Sequence, residues 1–194
     1  LHLHMYPNMF YVYKQLYDRN GKPIEGAYAD LNKDGAINES DRYRYHSPMP
    51  DYIMGLSTSL RYKQLTLGMS FRANIGNYVY NGMAMNAGAW ETVSYNNSQI
   101  NNLNVSFLKT GFQTRQYLSD YYVENASFLK LDNLSLTYNV GKISKWASLT
   151  VSALVQNVFT ITGYSGTDPE VPNGMDKSFY PRPRTYSLSF GLQF

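Results

Sequence analysis

The chain closes on a run of strict alternation. Tyr186, Leu188, Phe190, Leu192 and Phe194 fall on one parity, and Thr185, Ser187, Ser189, Gly191 and Gln193 on the other. A period of two predicts a β-strand with one apolar and one polar face. Its length matches the roughly 9–11 tilted residues that cross an outer membrane. Small polar residues on the second parity suit a watery lumen, and the chain ends on an aromatic.

The same pattern recurs upstream. Leu149, Val151, Ala153, Val155 and Phe159 mark a second strand, and Leu134, Leu136, Tyr138 and Val140 a third, joined by a turn over Gly141–Trp146. Tyr52–Tyr62 and Leu65–Ile75 read as a hairpin around Lys63 and Gln64, with Met54, Leu56 and Leu60 facing one way and Ser57, Ser59 and Arg61 the other. Met9–Leu16 reads as one more strand end. Between these lie three long connections, Gly21–Pro50, Gly76–Asn125 and Gly163–Arg182. Tight turns at one end and long connections at the other are the plan of an outer-membrane barrel, with the long ones extracellular if Phe194 lies at the periplasmic end. About six strands are too few to close such a barrel, and open edges are not tolerated in lipid. The expected fold is therefore all-β, an antiparallel transmembrane β-barrel seen as the C-terminal part of a larger one, with residues 1–194 forming one such portion. Lys130 and Asp132 share parity with Leu134 and Leu136, and a lysine facing mid-membrane lipid costs about 2–4 kcal/mol. They are expected above the hydrocarbon, at the extracellular rim, or beside a β-bulge that changes the parity.

Composition narrows the picture. Mean hydropathy of −0.41 and the lack of a long apolar run exclude a transmembrane helix but not a barrel, whose strands are half apolar. The 19 tyrosines suit interfacial girdles, where ring and hydroxyl face different media. A net charge of +3 without a basic run points away from nucleic acid. No cysteine is present, which removes disulfides and thiolate metal sites. The chain begins at Leu1 without a signal peptide, so a processed chain or a fragment is expected.

The motifs carry a resemblance. Residues 122–138 read YVENASFLKLDNLSLTY; residues 156–160 read QNVFT, and residues 164–171 read YSGTDPEV. Gly174, Asp176, Tyr180, Pro181, Arg184, Thr185 and Tyr186 follow in order, and Asp30–Asp41, Pro48, Pro50, Gly55, Gly76, Asn77, Tyr80 and Asn81 precede them. This series resembles the SusC/RagA-like TonB-dependent transporters, over the C-terminal quarter or fifth of such a protein. The resemblance implies a 22-stranded barrel of a Gram-negative outer membrane, closed by a plug. It also implies a SusD-like surface lipoprotein as lid, coupling to TonB through absent N-terminal residues, and import of oligosaccharides or oligopeptides.

Several residues invite a chemical reading. Asp30, Asn32 and Asp34 occupy the first, third and fifth positions of a calcium loop, Gly35 supplies its sharp turn, Ala36 its carbonyl, Asn38 a direct or water-mediated ligand and Asp41 the twelfth position. The expected ion is a structural Ca²⁺; the alternative is an Asx-rich turn whose side chains cap backbone amides. Position twelve is Asp rather than the bidentate Glu, and no amphipathic helices flank the loop. Trp90 and Tyr95, amid the amides of Asn86–Phe112, suit sugar stacking or peptide contact; the plainer reading is a polar loop packed on its neighbours. Asp168 and Glu170 flank Pro169, which fixes a turn rather than pairing carboxylates for catalysis. Arg182 and Arg184 are expected at the rim, pairing with loop acids or lipopolysaccharide head groups. His2 and His4 are two ligands short of a metal site, and His46 stands alone. No nucleophile–base triad or P-loop is present, so an enzyme is not expected. The alternative to a transporter is a non-transporting surface or adhesin barrel, separated from it by whether a plug is encoded upstream.

Overall fold

The computed structural model describes residues 9–93, 102–177 and 180–194. The strands are β1 (Phe10–Tyr13), β2 (Gln15–Tyr17), β3 (Pro23–Tyr28), β4 (Arg42–Tyr45), β5 (Tyr52–Tyr62), β6 (Leu65–Ile75), β7 (Tyr78–Asn81), β8 (Val123–Asn125), β9 (Phe128–Lys142), β10 (Ser148–Thr162), β11 (Met175–Asp176) and β12 (Thr185–Gln193). Two short helices, α1 (Gly82–Ala87) and α2 (Phe107–Thr110), lie in the longest connection. The chain divides into two compact units. One gathers Asp51–Ile75, Ser127–Gly163 and Pro181–Phe194; the other gathers Leu1–Pro50, Gly76–Ala126 and Tyr164–Tyr180.

The first unit is a five-stranded sheet in the order β12-β10-β9-β6-β5, antiparallel throughout. The hairpin has the predicted bounds, and Lys63 takes the left-handed φ of 53° that primed two-residue turns require. Register carries the alternation from strand to strand. Leu60, Leu67, Leu136, Ala153 and Leu188 form one row, and Thr58, Met69, Leu134, Val155 and Tyr186 another. The apolar face so built is open: Leu56 is 63% and Phe190 67% exposed. The opposite face carries Ser57, Ser70, Asn133, Ser135, Thr137 and Ser152, with hydroxyl pairs Ser57–Ser70 at 2.7 Å and Thr137–Ser152 at 3.0 Å. Pro50, Gly76, Ser127, Gly163 and Pro181, where the long connections begin and end, all border the sheet end at which Tyr52 pairs with Ile75 and Phe128 with Asn74 and Thr162. The tight turns lie at the other end, where β10 starts beside Gln193. The second turn starts two residues and ends one residue later than predicted, over residues 143–147, closed by Ile143 and Ser144 N–H groups on Ala147 O.

Two expectations are corrected. Met9–Leu16 is extended, as read, but adds no sixth strand to the main sheet: it contributes β1 and β2, broken at Lys14, which pair with β4 and β3 in separate two-stranded sheets. Nor do most tyrosines form girdles, since only Tyr52, Tyr62, Tyr138 and Tyr186 of the 19 belong to the sheet unit.

The other described tyrosines belong to the second unit, made of the N-terminal stretch and the long connections. It folds as a water-soluble domain would. Val12, Tyr80, Ala84, Met85, Ala89, Phe112, Tyr122 and Val123 form a buried core, and Val79, Ala126 and Tyr164 a smaller one. A three-stranded sheet in the order β11-β7-β8 mixes parallel and antiparallel pairing. Asn81 caps α1 by accepting the Ala84 N–H at 2.9 Å, satisfying an otherwise orphaned helix-start donor.

Candidate functional site

Four places in the molecule hold chemistry-bearing side chains. The first is the loop between β3 and β4. Asp30 accepts the Lys33 and Gly35 N–H groups at 2.6 and 2.9 Å. Asp34 Oδ1 accepts from Ala36 N at 2.8 Å, and its Oδ2 from the amide nitrogens of Asn32 (2.8 Å) and Asn38 (3.3 Å). Asp41 is fully buried and accepts from Leu31, Asn32 and Asn38 N–H groups. Lys33 and Gly35 adopt φ of 62° and 83°, winding the chain tightly around Asp30. The Asn38 N–H holds the Asp41 carboxyl below the usual carboxylate range, against its burial and with help from Asn32 and Leu31. The Ala36 N–H, then the Asn32 amide, lowers Asp34 likewise. Charge-assisted bonds of this kind stabilise the ionised form. The loop thus closes through Asx turns. Among the described residues no group of three His, Cys, Asp or Glu side chains is arranged to hold a metal. The side-chain oxygens of Asp30, Asn32, Asp34, Asn38 and Asp41 are hard donors of the type calcium takes; here they accept backbone and side-chain N–H groups instead.

The second place is a buried polar knot that sequence reasoning missed. Gln15, 2% exposed, donates to Ile24 O at 2.6 Å and Ala27 O at 3.1 Å and accepts from Ser119 Oγ at 2.8 Å. Asp120 accepts the Gln15 N–H at 2.9 Å and the Tyr43 hydroxyl at 2.6 Å. Burial, with Asp120 adding to it, pushes the Tyr17 hydroxyl up to about 12 and raises Tyr43 too. These phenols stay neutral donors. The knot joins chain segments more than a hundred residues apart, so no local spacing could have signalled it.

The third place is Asn86–Phe112. Trp90 is half exposed at 54%, its ring 6.0 Å from that of Phe107. The Trp90 backbone N–H donates to Phe112 O at 2.9 Å, and the Asn104 backbone N–H to Ala87 O at 2.7 Å. The described parts of the segment, residues 86–93 and 102–112, thus contact one another through the backbone, and Trp90 stays half exposed. Tyr95 lies outside the described residues, as do His2 and His4. His46 is not isolated: its ring stacks on Tyr78 at 3.6 Å, with Tyr45 at 4.1 Å on another side. Burial lowers its pKa, because desolvation disfavours the charged imidazolium.

The fourth place is on the polar face of the sheet. Ser70 pairs with Asn133 and Phe71 with Leu131, leaving Asp132 as an extra residue in β9. This bulge changes the parity, so Lys130 lies opposite Arg72 and Thr160 on the polar face, as the bulge alternative anticipated. Asp132 grips the Arg72 guanidinium with both oxygens, at 3.0 and 3.1 Å, a bidentate fork. Asp168 is buried and accepts from Glu170 N–H at 3.0 Å, the role of a turn cap. Arg184 donates to Asn157 O at 3.4 Å, and Asn157 to Arg182 O.

Comparison with known proteins agrees with this architecture. No protein-family model matches the chain. It is 40% identical over 96% of its length to the TonB-dependent receptor SusC of Bacteroides thetaiotaomicron, and 29% identical over 86% of its length to the TonB-dependent receptor P3 of Formosa agariphila. It spans about a fifth of each of these relatives, 19% in both cases. Among solved structures, the RagAB peptide importer in its 'closed-closed' state matches 97% of the chain with a TM-score of 0.76 and 24% identity, and in its 'open-open' state 98% with 0.74 and 23%. The chain covers 23% of the matched importer chain in each.

Proposed function

The chain belongs to the SusC/RagA-like TonB-dependent receptors, and from that premise we propose that it forms part of the wall and outer loops of an outer-membrane importer of oligomeric nutrients. The observation that carries this reading is the exposed apolar face of the five-stranded sheet. A soluble protein leaving so broad an apolar face in water would forfeit about 1.5–3 kcal/mol for each large side chain left uncovered. Lipid covers it without that loss. The hydroxyl-rich face then lines the lumen, and the long connections lie outside the cell.

In this reading cargo is an oligosaccharide or oligopeptide, captured beneath a SusD-like surface lipoprotein and admitted when TonB acts on residues beyond this chain. The relatives it matches are receptors, which supports transport rather than catalysis. Trp90 and Tyr95 are proposed contacts for cargo or lid. Calcium in the β3–β4 loop, held by Asp30, Asn32, Asp34, Ala36, Asn38 and Asp41, would pin that loop by relieving repulsion among its carboxylates. Its test is thermal melting of the receptor with calcium and with chelator; identical curves end the calcium proposal. The import reading is tested by uptake of labelled oligosaccharides and oligopeptides into cells with and without the receptor. Uptake of at least one class should need both the receptor and the proton gradient. Equal uptake without either overturns the reading.

A further inference from the structure

We propose that a cleft in the loop unit binds a short, extended peptide by strand addition to β1. The cleft has a volume of about 800 Å³, inside the range of roughly 300–1,000 Å³ common for ligand sites. Phe10, Met49, Val171 and Met175 give it apolar walls, and Asn173 adds a polar side chain.

One wall is an unpaired strand edge. Strand β1 pairs with β4 along one side. On the other side Tyr13 N–H donates to Leu118 O at 2.7 Å, and a lone parallel bridge joins Tyr13 to Ser119. Backbone groups two residues apart in a strand point to the same edge. The N–H and C=O of Tyr11 therefore face this second side as well, where among the described residues no strand runs opposite them, and Tyr11 and Leu118 both line the cleft. An open edge is a template for another strand. Its occupant must offer amide N–H and C=O groups at strand spacing, with apolar side chains for the walls. A peptide supplies both, and a sugar ring supplies neither.

The backbone around β1 is built to hold this edge. His46, Leu118 and Asn173 adopt left-handed φ of 43°, 56° and 59°, a conformation that costs a non-glycine residue energy and recurs where geometry serves function. His46 O accepts the Phe10 N–H at 3.1 Å, and Leu118 O accepts that of Tyr13. Two of the three strained residues thus fix the two ends of β1, and Asn173 lines the cleft itself. The inference rests on the import reading for the site's role, while its chemistry rests on the edge.

The test is equilibrium binding to the purified full-length receptor in detergent. The probes are a fluorescent acetyl-Val-Leu-Val-Leu-Val amide, the same peptide N-methylated at alternate amides, and a linear glucose hexasaccharide. The unmodified peptide should bind saturably, and N-methylation should weaken it about tenfold by removing pairing donors. Tyr11→Pro deletes the donor on the open edge while sparing the ladder to β4, and should weaken the peptide about fivefold. Met49→Asp, at a residue 57% exposed, tests the apolar wall without entering the core and should also weaken it. Absence of peptide binding, equal binding of the two peptides, preference for the hexasaccharide, or full binding by both variants overturns the inference. Peptide binding without energised uptake overturns the import reading instead and leaves the cleft assignment standing.

Discussion

The two units of this chain use the same residue types under opposite rules. In the sheet unit the large apolar side chains of β5 and β12 point outward and stay exposed, among them Leu60, Leu188 and Phe190. In the loop unit Val12, Met85, Phe112 and Tyr122 turn inward, with polar groups such as Gln15 and Ser119 buried and hydrogen-bonded among the loops. One region keeps large apolar side chains outside, as a medium that cannot hydrogen-bond would permit; the other keeps them inside, as water demands. Apolar content therefore does not distinguish them; the direction in which each side chain points does.

The contrast can be broken from either side. Truncating the loop core with Phe112→Ala, at a residue 1% exposed, should cost about 3–5 kcal/mol. Limited proteolysis should then cut the loop unit readily while the amount of protein in the membrane stays near normal. Loss of both together would show that the two regions do not fold by separate rules. Next in size, Phe190→Arg puts a charge on the apolar face and should cost about 2–4 kcal/mol if it meets mid-membrane lipid, enough to deplete the protein from the outer membrane. Phe190→Leu should be mild, and normal levels of the arginine variant would mean that this face does not meet lipid. A smaller effect is expected from Asp132→Ala. Arg72 and Asp132 are each about one-third exposed, at 34% and 29%, so solvent screening limits the loss to about 1 kcal/mol. A melting shift that Asp132→Asn fully rescues would argue against the charged fork.

The smallest effect is expected from acid on the loop between β3 and β4. Asp34 and Asp41 have folded pKa values held below their ordinary range. Their stabilisation is present above the unfolded carboxylate pKa, about 4, and fades as pH falls through the lower folded values. Hydrogen exchange of Leu31, Asn32 and Asn38 amides should quicken between about pH 4 and 2 beyond its intrinsic rate. Unchanged protection across that window would remove these carboxylates from the loop's stability.

The sheet was legible because one local rule governs it. Strict alternation gave the hairpin its bounds to the residue, and the clash of parity at Lys130 and Asp132 left two solutions, a place at the rim or a bulge, of which the backbone shows the bulge. The loop unit was not legible, since its strands run two to six residues and pair across long stretches of chain. Nothing near Gln15 announces Ser119, and nothing in Gly82–Ala87, a single turn and a half, shows the periodicity of a helix. Tyrosine misled for the same reason: its ring and hydroxyl suit a membrane interface and a hydrogen-bonded protein interior equally. Of the candidate site, the calcium-like spacing was visible, whereas the knot around Asp120 and the open edge of β1 exist only in three dimensions.

The bulge at Asp132 has a consequence for assembly. A regular strand can slide by two residues against its neighbour and keep every side chain on its proper side, so alternation alone cannot tell one such alignment from the next. In β9 the extra residue falls opposite the step from Ser70 to Phe71 on one flank and the irregularity at Asn157 and Val158 on the other. Any slide carries the inversion of parity away from both, stranding Lys130 or Leu131 in the wrong medium. The bulge works as an index notch: it converts a ladder of interchangeable rungs into one with a single seat.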